Sequence, residues 1–307
     1  MKAVLSKEER PMLALIKRNM KVFVRDRMAF FLSLLSVLIL LILYKVFLGQ
    51  MQIDGIKAAM NVKNAPSNVV TMVNYWLIAG LVTITSMSAT LGAYGVSVDD
   101  RQHHRVDDFM LTLLSPIKIE ISYMIAAILI GSLITFMLYA ISIVVLIGGT
   151  GLLIGWATTL KVMLLIIVSS TLSLLIVYPI MYLIRTNSQF ASFSTIIGTA
   201  IGFLTGVYIS IGSVSASIKN IITWFPLTPI NSAIKQLIMK NSLSEVFKNA
   251  PNQIRTNYEI DYGVLLRFPN GTHFTNMTIL EYMGILIAAL IVLDVIITKL
   301  VKINGRR

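Results

Sequence analysis

The chain contains no cysteine. Disulfides, thiolate metal sites and cysteine nucleophiles are thereby excluded, although the absence identifies no compartment. Charge is scarce as well: 13% of residues carry one, against about 25% in ordinary soluble domains. Acids are the minority, 14 Asp and Glu beside 26 Lys and Arg. Histidine occurs three times. His103 and His104 are adjacent, so on a helix they point about 100° apart and share a metal poorly. No His-Glu-x-x-His, Gly-x-Ser-x-Gly or glycine-lysine phosphate loop is present. The expectation is a chain with no metal, no cofactor and no enzymatic site of its own; any ATP and Mg that drive it belong to a partner.

What is present is apolar length. Hydrophobic residues make up 56% of the chain, in charge-free runs well beyond the ~20 residues that cross a bilayer. Six spans are predicted, at 28–48, 72–98, 121–147, 160–184, 190–212 and 279–300. The fold class is an all-α membrane protein, one membrane domain over 1–307. It comprises an interfacial helix at 10–27, a charged coupling segment at 99–118 and a re-entrant and extracellular segment at 213–278. The N-terminal residues are too polar for the apolar region of a cleaved signal, and the first apolar run is of full spanning length.

Lys and Arg set the orientation. Eight precede the first span, three lie in 99–118, Arg185 lies between spans four and five, and four follow at the C-terminal end. The short loops opposite hold only Lys45, Lys57, Lys63 and Lys161. Both termini are therefore expected in the cytoplasm, with His273 on the far side. The net charge of +12 is a topology and lipid-headgroup signal; a nucleic-acid partner would need a basic soluble domain, and there is none. Within 10–27, Arg10, Lys17, Arg18, Lys21 and Arg25 share an arc of about 100°, the pattern of a helix lying on anionic headgroups.

The segment 99–118 is the one long charged interruption on the cytoplasmic side. As a helix it aligns Val106, Phe109, Met110, Leu113 and Leu114 in one stripe, spaced i, i+3, i+4, i+7, i+8. Asp107 and Asp108 fall in its first turn, where negative charge suits the helix dipole, and Pro116 closes it. An amphipathic helix between two spans is a docking element for a soluble partner. Asp99-Asp100 and Asp107-Asp108 read as solvated caps and subunit contacts rather than an acid/base site.

Span two opens on Tyr75 and Trp76, expected as interfacial anchors, and carries Gly80, Gly92, Gly95 and many hydroxyls, which suit close helix packing or a weakly polar path. Pro179 is expected to kink span four, and Gly198, Gly202 and Gly206 to form a small-residue seam on span five. Residues 213–240 stay half apolar around Phe225-Pro226, long enough to dip into a leaflet and return. Asn231 or Ser232 can cap one following helix, and Ser242 with Glu245 another; 250–278 read as polar and turn-rich, with sequons at Asn270 and Asn276. Ionisable residues inside the spans, the mark of ion-coupled carriers, are nearly absent. Glu120 sits at the edge of span three, and Asp294 lies about 7 Å inside the end of span six, facing a partner such as Arg27, lining a pathway, or, as the favoured reading, reaching the interface or forming a structural ion pair.

Taken together these features resemble the permease subunit of type-2 ATP-binding-cassette exporters, within them the bacterial multidrug type. The sharpest likeness is Asp99-Asp100-Arg101 leaving span two, then Asp108-Phe109, then Ser115-Pro116-Ile117-Lys118. Phe225-Pro226-Leu227-Thr228-Pro229 resembles the text before the outer short helices. Two departures stand out. The glycine usual before the acidic residue is absent, with His104-Arg105-Val106 in that region. The stretch from Phe109 to Pro116 is also about three residues, one helical turn, longer than the family pattern.

The resemblance implies a multi-pass permease of the bacterial plasma membrane, pairing with a second copy or a paralogue and with two ABC ATPase subunits. Asp99, Asp100, Arg101, Arg105, Val106, Asp107, Asp108, Phe109, Met110, Leu113, Leu114 and Pro116 would dock the ATPase. A path lined by spans two and five is expected, with Tyr75, Thr83, Phe203 and Tyr208 as positional candidates. The expected cargo is lipophilic: a drug, toxin, antimicrobial peptide or lipid-like molecule. A glycan exporter, a membrane scaffold or sensor, and a secondary transporter are the competing classes.

Overall fold

A computed structural model describes residues 9–26, 39, 41–60, 66–112, 114–148, 154–267 and 276–304. Its regular elements are helices, and no strand forms among the described residues. Helix α1 (Glu9–Arg25) is followed, past the undescribed 27–38, by a π-helical turn at Tyr44–Leu48 and α2 (Gly49–Met60). Most of the predicted first span, and Arg27 with it, lies outside the described residues.

The organising element is α3 (Ser67–Gln102), 36 residues long and about 54 Å at helical rise. That exceeds the ~30 Å hydrocarbon core, so α3 runs past the predicted 72–98 at both ends. It packs against α1, α2, the short α4 (Arg105–Met110), α5 (Pro116–Ile147), α6 (Trp156–Met181) and α7 (Asn187–Leu204). By length and composition α3, α5 and α6 can each cross a membrane. The last helix, α12 (Asn276–Asn304), covers the sixth predicted span. Close approach explains two of the α3 glycines: a Cβ at Gly95 would press on the Phe190 ring at 2.8 Å, and one at Gly80 would run into Val207. The α3 hydroxyls are spent on packing. Thr83 Oγ1 donates to the Ala79 carbonyl at 2.9 Å, and Ser86 Oγ meets Ser169 Oγ of α6 at 2.5 Å.

Several expectations change. Helix α7 stops at Leu204, not 212. Gly206 turns left-handed at φ +63°, and the Val207 and Tyr208 amides return to the Gly202 carbonyl at 2.9 and 3.1 Å. The three glycines therefore form no single seam. Gly206 is the cap, a Cβ on Gly202 would collide with the Tyr208 ring, and Gly198 faces open space.

The outer segment is more helical than its polarity implied. After a 3-10 turn (Ile211–Ser213) come α8 (Ala216–Trp224), α9 (Thr228–Ile238), α10 (Lys240–Val246) and α11 (Asn252–Asp261). Asn231 and Ser232 lie inside α9, donating to the Thr205 and Val264 carbonyls, and cap nothing. Ser242 donates to the Met239 carbonyl, so no capping box with Glu245 forms. The sequon at Asn270 lies outside the described residues, and Asn276 begins α12.

Tyr75 and Trp76 are not interfacial anchors. They are 4% and 2% exposed, because α9 packs on α3 and carries the buried Lys235 against them. Lys235 Nζ lies 4.9 Å from the Trp76 ring centroid. Both Lys235 Nζ and Trp76 Nε1 donate to the Tyr262 carbonyl at 2.8 Å. Burial pushes the Lys235 ammonium down to about 7.

Finally, the helix predicted from about Val106 to Pro116 is cut short. Helix α3 continues to Gln102, His104 takes φ 57°, α4 lasts six residues, and Pro116 opens α5 rather than closing α4. The residue before a proline avoids the helical region, and Ser115 caps α5 by accepting from the Lys118 amide at 3.4 Å.

Candidate functional site

The loop end of α3 is held by one buried carboxylate. Asp100 is fully buried, a position tolerable for a carboxylate only if its lone pairs are filled. Arg18 of α1 donates to both oxygens, at 2.9 Å to Oδ1 and in a shorter contact to Oδ2. Arg105 Nη1 reaches Oδ1 at 3.0 Å and the Tyr123 hydroxyl reaches Oδ2 at 2.6 Å. Four donors from α1, α4 and α5 thus converge on α3. The carboxylate in turn holds the Arg18 guanidinium above its usual range, chiefly through that hydrogen bond.

Neighbouring charges extend the clamp. Asp99 accepts from Arg105 at 2.8 Å and from Asn187 of α7 at 3.0 Å. Arg101 turns inward and donates to the Met181 and Tyr182 carbonyls at 3.0 and 3.3 Å, satisfying the C-terminus of α6. Arg18 also lies over the Phe109 ring, 5.2 Å from its centroid. Helix α4 is thereby tied through its first residue and its aromatic to α1, α3 and α5.

The predicted docking residues therefore separate into two groups. Asp99, Asp100, Arg101 and Arg105 belong to the clamp, and Leu114 is buried. Val106 and Phe109 are half-buried, while Asp107, Asp108, Met110 and Pro116 are exposed. Leu113 lies outside the described residues. Leu111, which the stripe passed over, is 89% exposed beside Met110 at 53%. An apolar tip on a braced loop can receive a push and pass it to three helices. The stripe missed Leu111 because α4 ends at Met110 and the periodicity ends with it.

Arg18 was expected to face headgroups with Lys17 and Lys21. It borders the buried stripe of Leu15, Ile16, Asn19 and Phe23 that seats α1. A buried Asn beside it was the available signal that this edge meets protein.

The four path candidates do not form one lining. Tyr75 and Thr83 are enclosed within the packing of α3. Phe203 and Tyr208 meet edge-on at 5.1 Å where α7 ends, with Phe203 49% exposed. No cluster of metal ligands occurs among the described residues.

No curated protein matches the chain. The family model described as ABC-2 type transporter matches residues 11–239, a stretch that takes in α1, the α3 clamp, α4 and the helices through α9. That is well over half of the sequence, and the chain belongs to the ABC-2 type transporter family, as a membrane component that partners with an ABC ATPase.

Proposed function

We propose that the chain is the permease of a bacterial multidrug-type exporter, moving a lipophilic molecule out across the plasma membrane while a separate subunit hydrolyses ATP. The observation that carries this reading is the Asp100 clamp beneath an exposed apolar tip. Met110 and Leu111 give an ATPase groove something apolar to grip, with Asp107 and Asp108 at the rim for register. Force on the tip reaches α1, α3 and α5 together, since Arg18, Arg105 and Tyr123 hold them to one carboxylate.

Six spans and cytoplasmic termini complete the topology, in agreement with the Lys and Arg distribution. A second copy is read against α7, which buries only Ile201 and Gly202 within the chain and leaves Ile196 and Phe203 uncovered. Two permeases and two ATPases form the assembly, and cargo leaves between α3 and α7 at the permease interface. Phe203 and Tyr208 remain candidates for that path; Tyr75 and Thr83, enclosed in the core, support it less.

The test is a mild-detergent pull-down from the native membrane, with bound proteins identified by mass spectrometry. A stoichiometric nucleotide-binding subunit is expected. No ATPase, under conditions that preserve a known complex, would move the assignment to a scaffold or carrier.

A further inference from the structure

Beside the clamp a cleft of about 930 Å³ opens between α5, α6 and α12, a size typical of small-molecule sites. Its walls are almost wholly apolar, with Met124 and Ile128 on α5 and Leu175 on α6. Three carboxylates interrupt them from different helices: Glu120 of α5, Asp294 of α12 and the exposed Asp107 of α4. Asp294 is 6% exposed. Glu120 accepts the Tyr94 hydroxyl through Oε1, which leaves its second oxygen open. Tyr178 and Tyr182 stand at the same level, ring centroids 5.9 Å apart. Carboxylates and aromatic faces in an apolar, partly water-excluded site favour an organic cation.

We infer that this cleft binds a lipophilic cation, its ammonium between Glu120 and Asp294 and its apolar body along Met124, Ile128 and Leu175. Glu120 lies about 6 Å inside the start of α5, and about 12 Å of apolar wall continues to Ile128. Arg101 and Arg185 also line the cleft, and Arg101 is engaged by carbonyls of α6. A long-chain ammonium presents positive charge directly above its tail and fits. Exposed Ile117, Ile121, Ile291 and Val295 flank the opening, so entry is sideways. That this face meets the inner leaflet, and that the ligand is cargo, rests on the export reading above; the binding itself does not.

The experiment uses the full chain in phosphatidylcholine nanodiscs and radiolabelled dodecyltrimethylammonium, with empty nanodiscs as the partition control. The expected result is saturable binding of one cation per chain, displaced at least tenfold less effectively by dodecanol. Glu120→Gln with Asp294→Asn should weaken it at least tenfold, and Ile128→Trp, which fills the floor with both acids intact, should do the same. Absence of a saturable component overturns the site, as does unchanged binding in either variant. ATPase copurification is scored separately. Lost binding with the ATPase retained removes the site and leaves the exporter; binding without any ATPase does the reverse.

Discussion

Arg18 and Asp100, 82 positions apart in sequence, are joined across α1 and α3 by a two-pronged ion pair whose acid is fully buried. The pair fixes the position of the N-terminal helix relative to the loop that carries α4. Removing one partner of a buried pair leaves the other charge uncompensated, which costs about 3–5 kcal/mol.

Arg18→Ala is therefore expected to destabilise the permease by about 3 kcal/mol, the low end of that range, because Arg105 and Tyr123 still hold Asp100. Asp100→Asn should cost a similar amount, and the double variant less than the sum. Thermal unfolding in detergent across the four proteins measures the coupling. Strict additivity would mean that the pair contributes nothing beyond its separate contacts.

Docking and stability separate at the loop tip. Met110→Asp and Leu111→Asp alter exposed side chains, so stability should stay within about 0.5 kcal/mol while ATPase copurification and transport are lost. Phe109→Ala should reduce both, since Phe109 lies under Arg18. Retained ATPase in the Leu111→Asp protein would remove the tip from the interface.

His104 occupies the left-handed backbone region at φ 57°, in the region where the family's glycine is missing. Such a conformation costs a residue with a Cβ about 1–3 kcal/mol, with His among the better tolerated types. His104→Gly is expected to raise the unfolding temperature and His104→Val to lower it. A lower value for the glycine variant would contradict the strain argument.

Lys235 predicts a pH dependence where α9 packs on α3. Its folded value is pushed down to about 7 by burial, against an unfolded value near 10.4. Between those values the unfolded chain binds more protons, so this group's contribution to stability rises with pH. Below about 7 both states are protonated and the penalty is fully present. Unfolding temperature measured from pH 7 to 9 should climb in the native protein and flatten in Lys235→Met. An equal slope in both would place the pH dependence elsewhere.

Much of the fold is legible in local sequence. Apolar runs locate α3, α5, α6 and α12 because hydrocarbon demands continuous apolar helices with internally satisfied backbones. The basic arc and the Asp107-Asp108 turn follow from helical periodicity alone, which a linear sequence displays directly. The family is legible in the order of apolar runs and charged segments, and the ABC-2 match spans residues 11–239.

Tertiary structure decided the rest. Whether Arg18 faces headgroups or Asp100 depends on where α1 docks, and no spacing within α1 encodes that. Leu114 is buried and Leu111 exposed because the loop turns at Met110 instead of continuing one stripe. Glu120 and Asp294 face one cleft only because α12 packs on α6, across the cleft from α5. Periodicity determines which residues share a face of one helix; which charge meets which across the bundle is settled by the desolvation and hydrogen bonding of groups distant in sequence, and that is determined only once the helices pack.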